Sequence, residues 1–391
     1  MNRVLGLSKH NRTPLLYYQA TNEAYDGVKH FKVTRQQLRE WSITNSYKSD
    51  YIPIKCPEGK TLEEAHTEFI ENADLLKFQS KGRINLYRSG TIQRAGLAWF
   101  FKQCCVKEDI DPEPLTEMEN EWFMQCNHGQ IVFSKPYEGE THSYDINSMY
   151  ASIMRNVNFK IPIKQGTFQK LTTQEFDDAK FFQYGIYRVI IINDGNENTR
   201  KMFRFNTNHY YTSTDLNVAK KLGLTMTLME DCEFNFLGYG KGTCMTGSQV
   251  FKKFIDVFYK LKCETKNKDF KLVINMLYGT LCMSNVHKFQ YDVTKELTAN
   301  IDLDTDRVVI LNQYFIRDNI FRIEYCYRNG YFKYPWVRMK TFILAFGRQM
   351  IGRIMQEHLD DIVCINTDGF KAVKQLDITI GTDIGELRYE N

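Results

Sequence analysis

The sequence has no long hydrophobic run, no Cys-x-x-Cys pair and no strong excess of charge of one sign. Its ten cysteines are scattered, with only Cys104 and Cys105 adjacent, which favours neither a disulfide framework nor a zinc ribbon and predicts reduced thiols. No apolar segment approaches the roughly 18 residues of a membrane span, and the first residues lack the apolar core of a signal peptide. We therefore expect an intracellular, soluble protein without a membrane partner, with nucleus, cytoplasm and mitochondrion all open as compartments.

Prolines are few, and neither an internal repeat nor a low-complexity tract is present. The 391 residues include only 8 prolines, so no single long linker divides them, and the length predicts two or three domains. Lys and Arg number 51 against 47 Asp and Glu, which gives a formal net charge of +4. Nucleic acid would therefore have to bind through a local basic patch and not through the overall field of the protein.

The first half of the chain contains signals for both helices and strands. We expect a buried helix over residues 95–101, an acidic connector over 108–121, strands over 131–133 and 143–146, and a helix from Asn147 to Met154 with Asn147 as its N-cap. Residues 185–192 predict a strand in the middle of a sheet, buried on both faces.

The second half is more strongly periodic. Phe251, Phe254, Ile255 and Phe258 form one apolar stripe and Leu272, Leu277 and Leu281 a second, which predicts two antiparallel helices. Residues 342–354 predict another helix, and residues 362–373 a hairpin whose turn is Asn366-Thr367-Asp368-Gly369.

Three segments contain residues that can carry chemistry. In the first, Asp145 lies at the end of a strand just before a helix, where its carboxylate can project from a rigid edge while backbone amides face a phosphate. A simple helix cap is the alternative for an isolated Asp-x-Asn-Ser.

The second segment is a lysine-rich helix. Lys271, Asn275 and Tyr278 fall on one helical face, and residues 251–271 contain seven lysines against three acids. Such a face suits a triphosphate or a nucleic-acid backbone, because each ammonium can neutralise a phosphate oxygen. A solvated charged face is the alternative.

The third segment is the Asp368 hairpin turn. Asp-Gly is first a turn signal, which needs no function. Together with Asp145, however, Asp368 can bridge two Mg²⁺ ions, since Mg²⁺ accepts a few hard oxygens plus substrate phosphates.

In this order the three segments resemble motifs A, B and C of family B DNA polymerases, most closely the protein-primed branch of phages, adenoviruses and linear plasmids. The segment YDINSMYASIM is similar to the motif A pattern of Asp, two residues and Ser-Leu-Tyr-Pro. KLVINMLYGTL is similar to Lys-x-x-x-Asn-Ser-x-Tyr-Gly, and VCINTDGFKA to Tyr-x-Asp-Thr-Asp-Ser. The resemblance extends from about Gly129 to Glu390.

The resemblance implies an α+β right-hand architecture with an antiparallel palm sheet and helical fingers. We expect residues 1–125 to be a degenerate exonuclease-like remnant, 126–249 the first palm part with an insertion, 250–284 the fingers, and 285–391 an insertion and the second palm part. Relative to the family, the proofreading acids and the thumb are missing, so we expect a chain shortened at both ends, without proofreading and with poor processivity.

The resemblance also implies roles for individual residues. Asp145 and Asp368 would be the catalytic, metal-bridging carboxylates, with the backbone of Ile146 as a further metal ligand. The implied nucleotide-binding residues are Ile146, Ser148, Tyr150 under the sugar, Lys262, Lys268 and Lys271 at the triphosphate, and Asn275 and Tyr278 at the base pair. The implied DNA contacts are Gly279, Arg348, Thr367 and Lys371.

Four positions depart from the family pattern: Ala151 in motif A, Met276 in motif B, and Asn366 and Gly369 in motif C. Asn366 weakens the local negative field without removing a bridging ligand.

The predicted function is that of a DNA-directed DNA polymerase in the replication of a virus or mobile element, with two Mg²⁺ ions, or Mn²⁺, as cofactors. Its partners would be a DNA template-primer, deoxynucleotides and a terminal protein primer. A reverse transcriptase fits less well, because its motif C has paired aspartates. The alternative from another class is a non-catalytic, polymerase-derived DNA-binding remnant.

Overall fold

The computed structural model describes residues 10–42, 50–295 and 307–390. Its strands are β1 (Thr13–Tyr17), β2 (Glu23–Tyr25), β3 (His30–Lys32), β4 (Tyr51–Lys55), β5 (Val132–Ser134), β6 (His142–Ile146), β7 (Lys160–Pro162), β8 (Thr167–Gln169), β9 (Gly185–Ile191), β10 (Tyr210–Thr212), β11 (Met226–Leu228), β12 (Phe236–Gly238), β13 (Cys244–Thr246), β14 (His287–Asp292), β15 (Val308–Arg317), β16 (Ile320–Tyr327), β17 (Ile362–Asn366), β18 (Gly369–Ala372) and β19 (Leu387–Glu390).

The helices alternate with these strands. They are α1 (Arg35–Ser42), α2 (Leu62–Gln79), α3 (Leu86–Ser89), α4 (Ile92–Phe100), α5 (Glu117–Gln125), α6 (Met149–Met154), α7 (Thr173–Asp177), α8 (Glu197–Met202), α9 (Ser213–Lys221), α10 (Gly247–Thr265), α11 (Lys268–Leu281) and α12 (Arg338–Met355). Within the described residues, no helix is both long enough and apolar enough to cross a bilayer.

The chain divides into two compact units. The first unit comprises Met1–Asp111 and Val250–Thr280, and the second comprises Pro112–Gln249 and Leu281–Asn391. The assignment of parts of these units as exonuclease remnant, palm and fingers remains a prediction.

The first unit combines a four-stranded sheet with helices. The strand order is β3-β2-β1-β4, with β1 and β4 parallel. The predicted buried helix is α4, where Phe100 stacks on Phe251 of α10 at a ring distance of 5.1 Å. Because of this packing, α10 belongs to the same core as α4.

The two predicted lysine-rich helices are present as α10 and α11, but the second apolar stripe differs from the prediction. Phe251, Phe254 and Phe258 are fully buried, as expected. In α11 the buried positions include Val273 and Leu277, whereas Leu272 is 43% exposed. The predicted stripe is therefore wrong at Leu272. Residues 273 and 277 are four positions apart and share a helical face, whereas residues 272 and 277 are five apart and do not.

The second unit contains several sheets, of which one surrounds the predicted strand at 185–192. That strand, β9, pairs with β10, β11 and β12 and so lies inside the sheet. The prediction that both faces are buried is wrong at its end, where Ile190 is 40% exposed and Ile192 54% exposed.

A five-stranded sheet of the second unit, with order β19-β6-β18-β17-β5, carries the segments singled out as motifs A and C. All of its neighbouring pairs are antiparallel. One face is apolar and includes Tyr144, Ile365 and Phe370, which are buried. We call the opposite face, which includes Ser143, Asp145, Asn366, Lys371, Arg388 and Glu390, the polar face of the sheet.

The prediction of a connector over 108–121 is partly wrong, because α5 begins within it. Thr116 and Glu119 form a capping box in which each side chain accepts a hydrogen bond from the other's backbone N–H. Glu119 is also fully buried and ion-paired with Arg338 at 2.6 Å. The sequence pattern Thr-x-x-Glu was the available signal for this helix start.

Candidate active site

The central strands of the five-stranded sheet bring Asp145 and Asp368 side by side. Asp145 lies on β6 opposite Gly369, the first residue of β18, and Asp368 immediately precedes Gly369. The backbone N–H of Ile146 donates to the carbonyl oxygen of Asp368 at 2.8 Å. The register of β6 and β18 therefore fixes the backbones of the two acids as neighbours.

The turn that carries Asp368 has an unusual backbone. Asn366 and Gly369 pair across the end of the hairpin, which leaves Thr367 and Asp368 as a two-residue loop, as predicted. Thr367 has φ = 64°, a left-handed conformation that a β-branched residue rarely adopts. A positive φ at this position matches the twist of the flanking strands, so the turn presents Asp368 at the cost of local strain.

Gly369 allows β18 to approach β6 closely. A Cβ atom at this position would lie 2.8 Å from the carbonyl oxygen of Tyr144 and 3.5 Å from Oδ1 of Asp145. The first distance is below normal contact, so a side chain here would push the two strands apart. Glycine in place of the serine of the family pattern therefore allows β18 to lie close to β6 at Asp145.

The prediction of Asn147 as a helix cap is wrong. The helix starts at Met149, and the capping position is Ser148, which has left-handed φ and ψ of 51° and makes no side-chain cap bond. The backbone N–H of Asn147 donates to Glu386 O at 2.8 Å, and its carbonyl accepts from Gly385 N at 2.7 Å. Asn147 thus binds the loop before β19 instead of starting the helix.

Tyr150 lies one residue into α6 and is largely buried. Burial raises the pKa of its hydroxyl, and the negative charge of Asp368 raises it further. The side chain of Gln130 lies against it and donates from Nε2 to the carbonyl of Leu344 at 3.2 Å. Tyr150 is therefore within the electrostatic influence of Asp368.

Arg388 is the principal charged neighbour that sequence reasoning missed. On β19 it pairs in register with Asp145, and its Nη2 lies 3.1 Å from Oδ2 of Asp145. The same Nη2 contacts Glu390, two residues further along the strand. No sequence signal pointed to this pair, because the contact depends on the register of β19.

The structure corrects the predicted DNA contact of Arg348. Its guanidinium is only 4% exposed and is paired with Asp215 at 2.8 Å. It also donates to the backbone carbonyls of His128 and Gly129. Arg348 is therefore part of a buried ion pair inside the second unit, with little surface left to contact DNA.

The remaining predicted residues of the second unit lie at or beside the polar face. Lys371 is exposed on β18, and Thr367 lies in the turn beside Asp368. Next to the outer strand β5 is a cavity of about 440 Å³, lined by Phe133, Lys135, Arg200 and Arg204 among others.

The predicted residues of the lysine-rich helices all belong to the first unit. Lys268, Lys271, Asn275 and Gly279 are exposed, and Tyr278 is half-buried. The half-buried Lys262 lies over the Tyr259 ring at 4.8 Å. Among the described residues, neither Lys268 nor Lys271 has an ion-pair partner, so the predicted cationic face of α11 is exposed to solvent.

The donor set beside Asp145 fits a magnesium site of the kind that substrate phosphates complete. Asp145 and Asp368 supply hard carboxylate oxygens, which Mg²⁺ prefers, and the backbone at Ile146 adjoins them. Over the ranges that the structure describes, there is no cluster of three or more His, Cys, Asp or Glu placed to hold a metal ion by itself. Two acids suffice only if phosphate oxygens supply the other ligands.

Comparisons with known proteins find similarity to DNA polymerases. The chain is 23% identical over 342 residues to a protein described as "Probable DNA polymerase" from Neurospora intermedia, covering 80% of this chain and 33% of that protein. It therefore spans about a third of the length of that relative.

Solved structures show the same mixed α/β fold. A structure of phi29 DNA polymerase complexed with single-stranded DNA matches 90% of this chain and 61% of that chain, with a TM-score of 0.56 and 17% identity. The same polymerase complexed with primer-template DNA and incoming nucleotide substrates matches 90% of this chain and 63% of that chain, with a TM-score of 0.55 and 16% identity. The profile of the family described as "DNA polymerase type B, organellar and viral" matches residues 61–348, so the predicted family is confirmed and the chain belongs to it.

Proposed function

We propose that this protein is a DNA-directed DNA polymerase that adds deoxynucleotides to a primer hydroxyl, with pyrophosphate as the leaving group. The observation that carries the proposal is the pairing of Asp145 with the Asp368 turn on adjacent strands of one sheet. Two carboxylates held by a rigid sheet would fix divalent cations in place, and those cations would supply the positive charge that phosphoryl transfer requires.

In the second unit we assign the sugar of the incoming nucleotide to Tyr150. The charge of Asp368 acts on its hydroxyl, and the residue is partly buried. By the family resemblance its ring would contact the sugar and exclude a 2′-hydroxyl. The backbone of Ile146 and the left-handed Ser148 would lie at the nucleotide, and Thr367 and Lys371 at the DNA.

In the first unit we assign the triphosphate to Lys271, helped by Lys262 and Lys268. Lys268 and Lys271 are exposed and have no acid partner within the part of the chain that the structure describes, so their ammonium groups keep their charge available for phosphate oxygens. Asn275 and Tyr278 would line the base pair, and Gly279 would let the DNA approach the helix closely.

Divalent metal ions, Mg²⁺ or Mn²⁺, would be held by Asp145, Asp368 and the carbonyl of Ile146. When bound, they would activate the attacking hydroxyl and neutralise charge on the phosphates. The partners that follow are a DNA template-primer and deoxynucleotides, with a terminal protein as the alternative source of the primer hydroxyl.

Primer extension on a DNA template with Mg²⁺ or Mn²⁺ tests the proposal. We expect Asp145→Asn and Asp368→Asn each to abolish extension, and Asp377→Asn, which changes an exposed aspartate of the same unit, to leave it intact. Extension that survives either of the first two changes would contradict the proposed roles of these acids.

The second candidate is a DNA-binding protein without catalysis. It is favoured by the Arg388–Asp145 ion pair, which reduces the negative charge available at Asp145, and by Asn366 in place of an acid. If the parent chain binds DNA but does not extend a primer under any metal condition, this candidate replaces the first.

A further inference from the structure

The position of Arg388 is fixed by the backbone around it. β19 pairs with β6 so that Leu387 faces Ile146, Arg388 faces Asp145 and Glu390 faces Ser143. The preceding loop is anchored on both sides of Asn147, through hydrogen bonds with Gly385 and Glu386. Arg388 therefore stands beside Asp145 because of strand register, and not because of a chance side-chain conformation.

Both acids and cations lie near Asp145 on the polar face of the sheet. The acids at this part of the polar face are Asp145, Asp368 and Glu390, and the cations are Arg388 and Lys371, of which Arg388 contacts Asp145 directly. Arg388 also has an alternative acid, because Glu390 lies on the same face of the same strand and contacts the same nitrogen. Its side chain is 41% exposed, so it has room to turn away from Asp145 while it keeps the contact with Glu390.

We infer that Arg388 is a built-in counter-ion of Asp145 that competes with divalent metal for that carboxylate, and that it releases Asp145 and keeps its contact with Glu390 when metal binds. The inference rests on the proposed function, because it takes Asp145 as a metal ligand. A guanidinium fixed 3.1 Å from a carboxylate oxygen occupies one of the few ligand atoms at this site, and its charge repels an arriving cation. Arg388 would thus make metal binding weaker than the two acids alone would allow, until nucleotide phosphates add their own ligands.

Binding of Mn²⁺ alone to the full chain, followed by the electron paramagnetic resonance signal of free Mn²⁺, tests this inference without activity. We expect Arg388→Ala to lower the dissociation constant about 2- to 5-fold, the range expected when a partly exposed ion pair is removed. Arg388→Gln keeps much of the side-chain length and removes the charge, so it should act in the same direction. Arg353→Ala changes an exposed arginine of α12 in the same unit and should have no effect.

Adding Asp145→Asn to each protein separates the possible failures. If Arg388→Ala and Arg388→Gln bind Mn²⁺ no more tightly than the parent, while Asp145→Asn abolishes binding in all of them, the counter-ion role is wrong and the metal site stands. If Asp145→Asn leaves Mn²⁺ binding unchanged, the metal role of Asp145 in the proposed function is wrong as well.

Discussion

At the scale of single residues, His128 is buried in the second unit, and its burial predicts a measurable pH dependence of stability. Burial, helped by the positive charge of Arg348, lowers the pKa of His128 to about 4. Its Nδ1 lies 3.1 Å from the carbonyl oxygen of Cys126, which we assign as a donated hydrogen bond from the neutral ring.

The depressed pKa gives the sign of the effect. The unfolded chain binds a proton at His128 near pH 6.5, whereas the folded protein resists it until about pH 4. The stability from His128 is therefore complete above pH 6.5 and is lost as the pH falls towards 4, by up to about 1.4 kcal/mol per pH unit.

Urea unfolding at several pH values between 4.5 and 7 measures this slope. In His128→Gln we expect the free energy of unfolding to vary less steeply with pH than in the parent. The slopes should differ by at most the contribution of one bound proton, about 1.4 kcal/mol per pH unit. Equal slopes in the two proteins would show that His128 does not remain neutral in the folded state.

Individual site residues were predictable from the sequence only where a motif contains them. Asp145 and Asp368 could be found because strand-end acids and an Asp-Gly turn are local signals. The position of Arg388 could not be predicted, because it depends on the register of β19. The burial of Arg348 could not be predicted either, because its partner Asp215 lies 133 residues away. Ion pairs between distant segments leave no trace in local patterns.

At the scale of elements, the spacing of β6 and β18 depends on Gly369. We expect Gly369→Ser, which introduces the residue of the family pattern, to lower the free energy of unfolding by about 1–3 kcal/mol, as overpacking does. The reason is the 2.8 Å approach of a Cβ to the carbonyl oxygen of Tyr144. The shift of the urea unfolding midpoint measures it.

Gly279→Ala is the matched control for this change. It lies in α11, where a Cβ would meet nothing within 4 Å, so alanine should raise the free energy of unfolding by about 0.5–1 kcal/mol. If serine at position 369 is as harmless as alanine at position 279, the close approach of the two strands does not constrain the sheet.

Among elements, the sequence predicted those with strong periodicity and missed those that depend on capping or tertiary packing. The motif C hairpin, β9, α10, α11 and α12 were all expected from apolar spacing. The acidic and proline-containing composition around α5 predicts a connector, although Thr116 and Glu119 form a capping box there. The buried Glu119 is stabilised by its ion pair with Arg338. A buried acid is recognisable only when its partner is known.

At the scale of the whole molecule, a net charge of +4 gives no long-range attraction for DNA, so binding should depend on local cations. Lys371 is exposed on the polar face beside the two acids. We expect Lys371→Ala to weaken binding of duplex DNA for every sequence, and to make the slope of log K against log salt shallower by about 0.9.

Lys374→Ala serves as the comparison for that measurement. Lys374 is also exposed but is paired with Asp361 at 3.1 Å, so its loss should release few counter-ions and change the slope little. Fluorescence anisotropy over a range of salt concentrations measures both variants. The same slope for Lys371→Ala and the parent would remove Lys371 from the proposed DNA contacts.

The family and a fold of mixed helices and strands could be predicted from the segment between about Gly129 and Glu390, because three ordered motifs restrict the topology more than any one of them. The division into two units could not, since α4 and the distant α10 join through aromatic contacts such as Phe100 on Phe251. Such contacts between segments separated by about 150 residues have no periodic signature.

Among the described residues, β5 and β19 are the edge strands of the five-stranded sheet, and both are protected against pairing with a strand of another molecule. β5 is only three residues long and is followed by Lys135 and Pro136, and a proline offers no N–H to an added strand. β19 carries Arg388 and Glu390, whose charges would have to lose water in such a contact. The residues of these two edge strands therefore also resist aggregation. We expect this resistance to depend more on the two short strands than on the net charge of the protein.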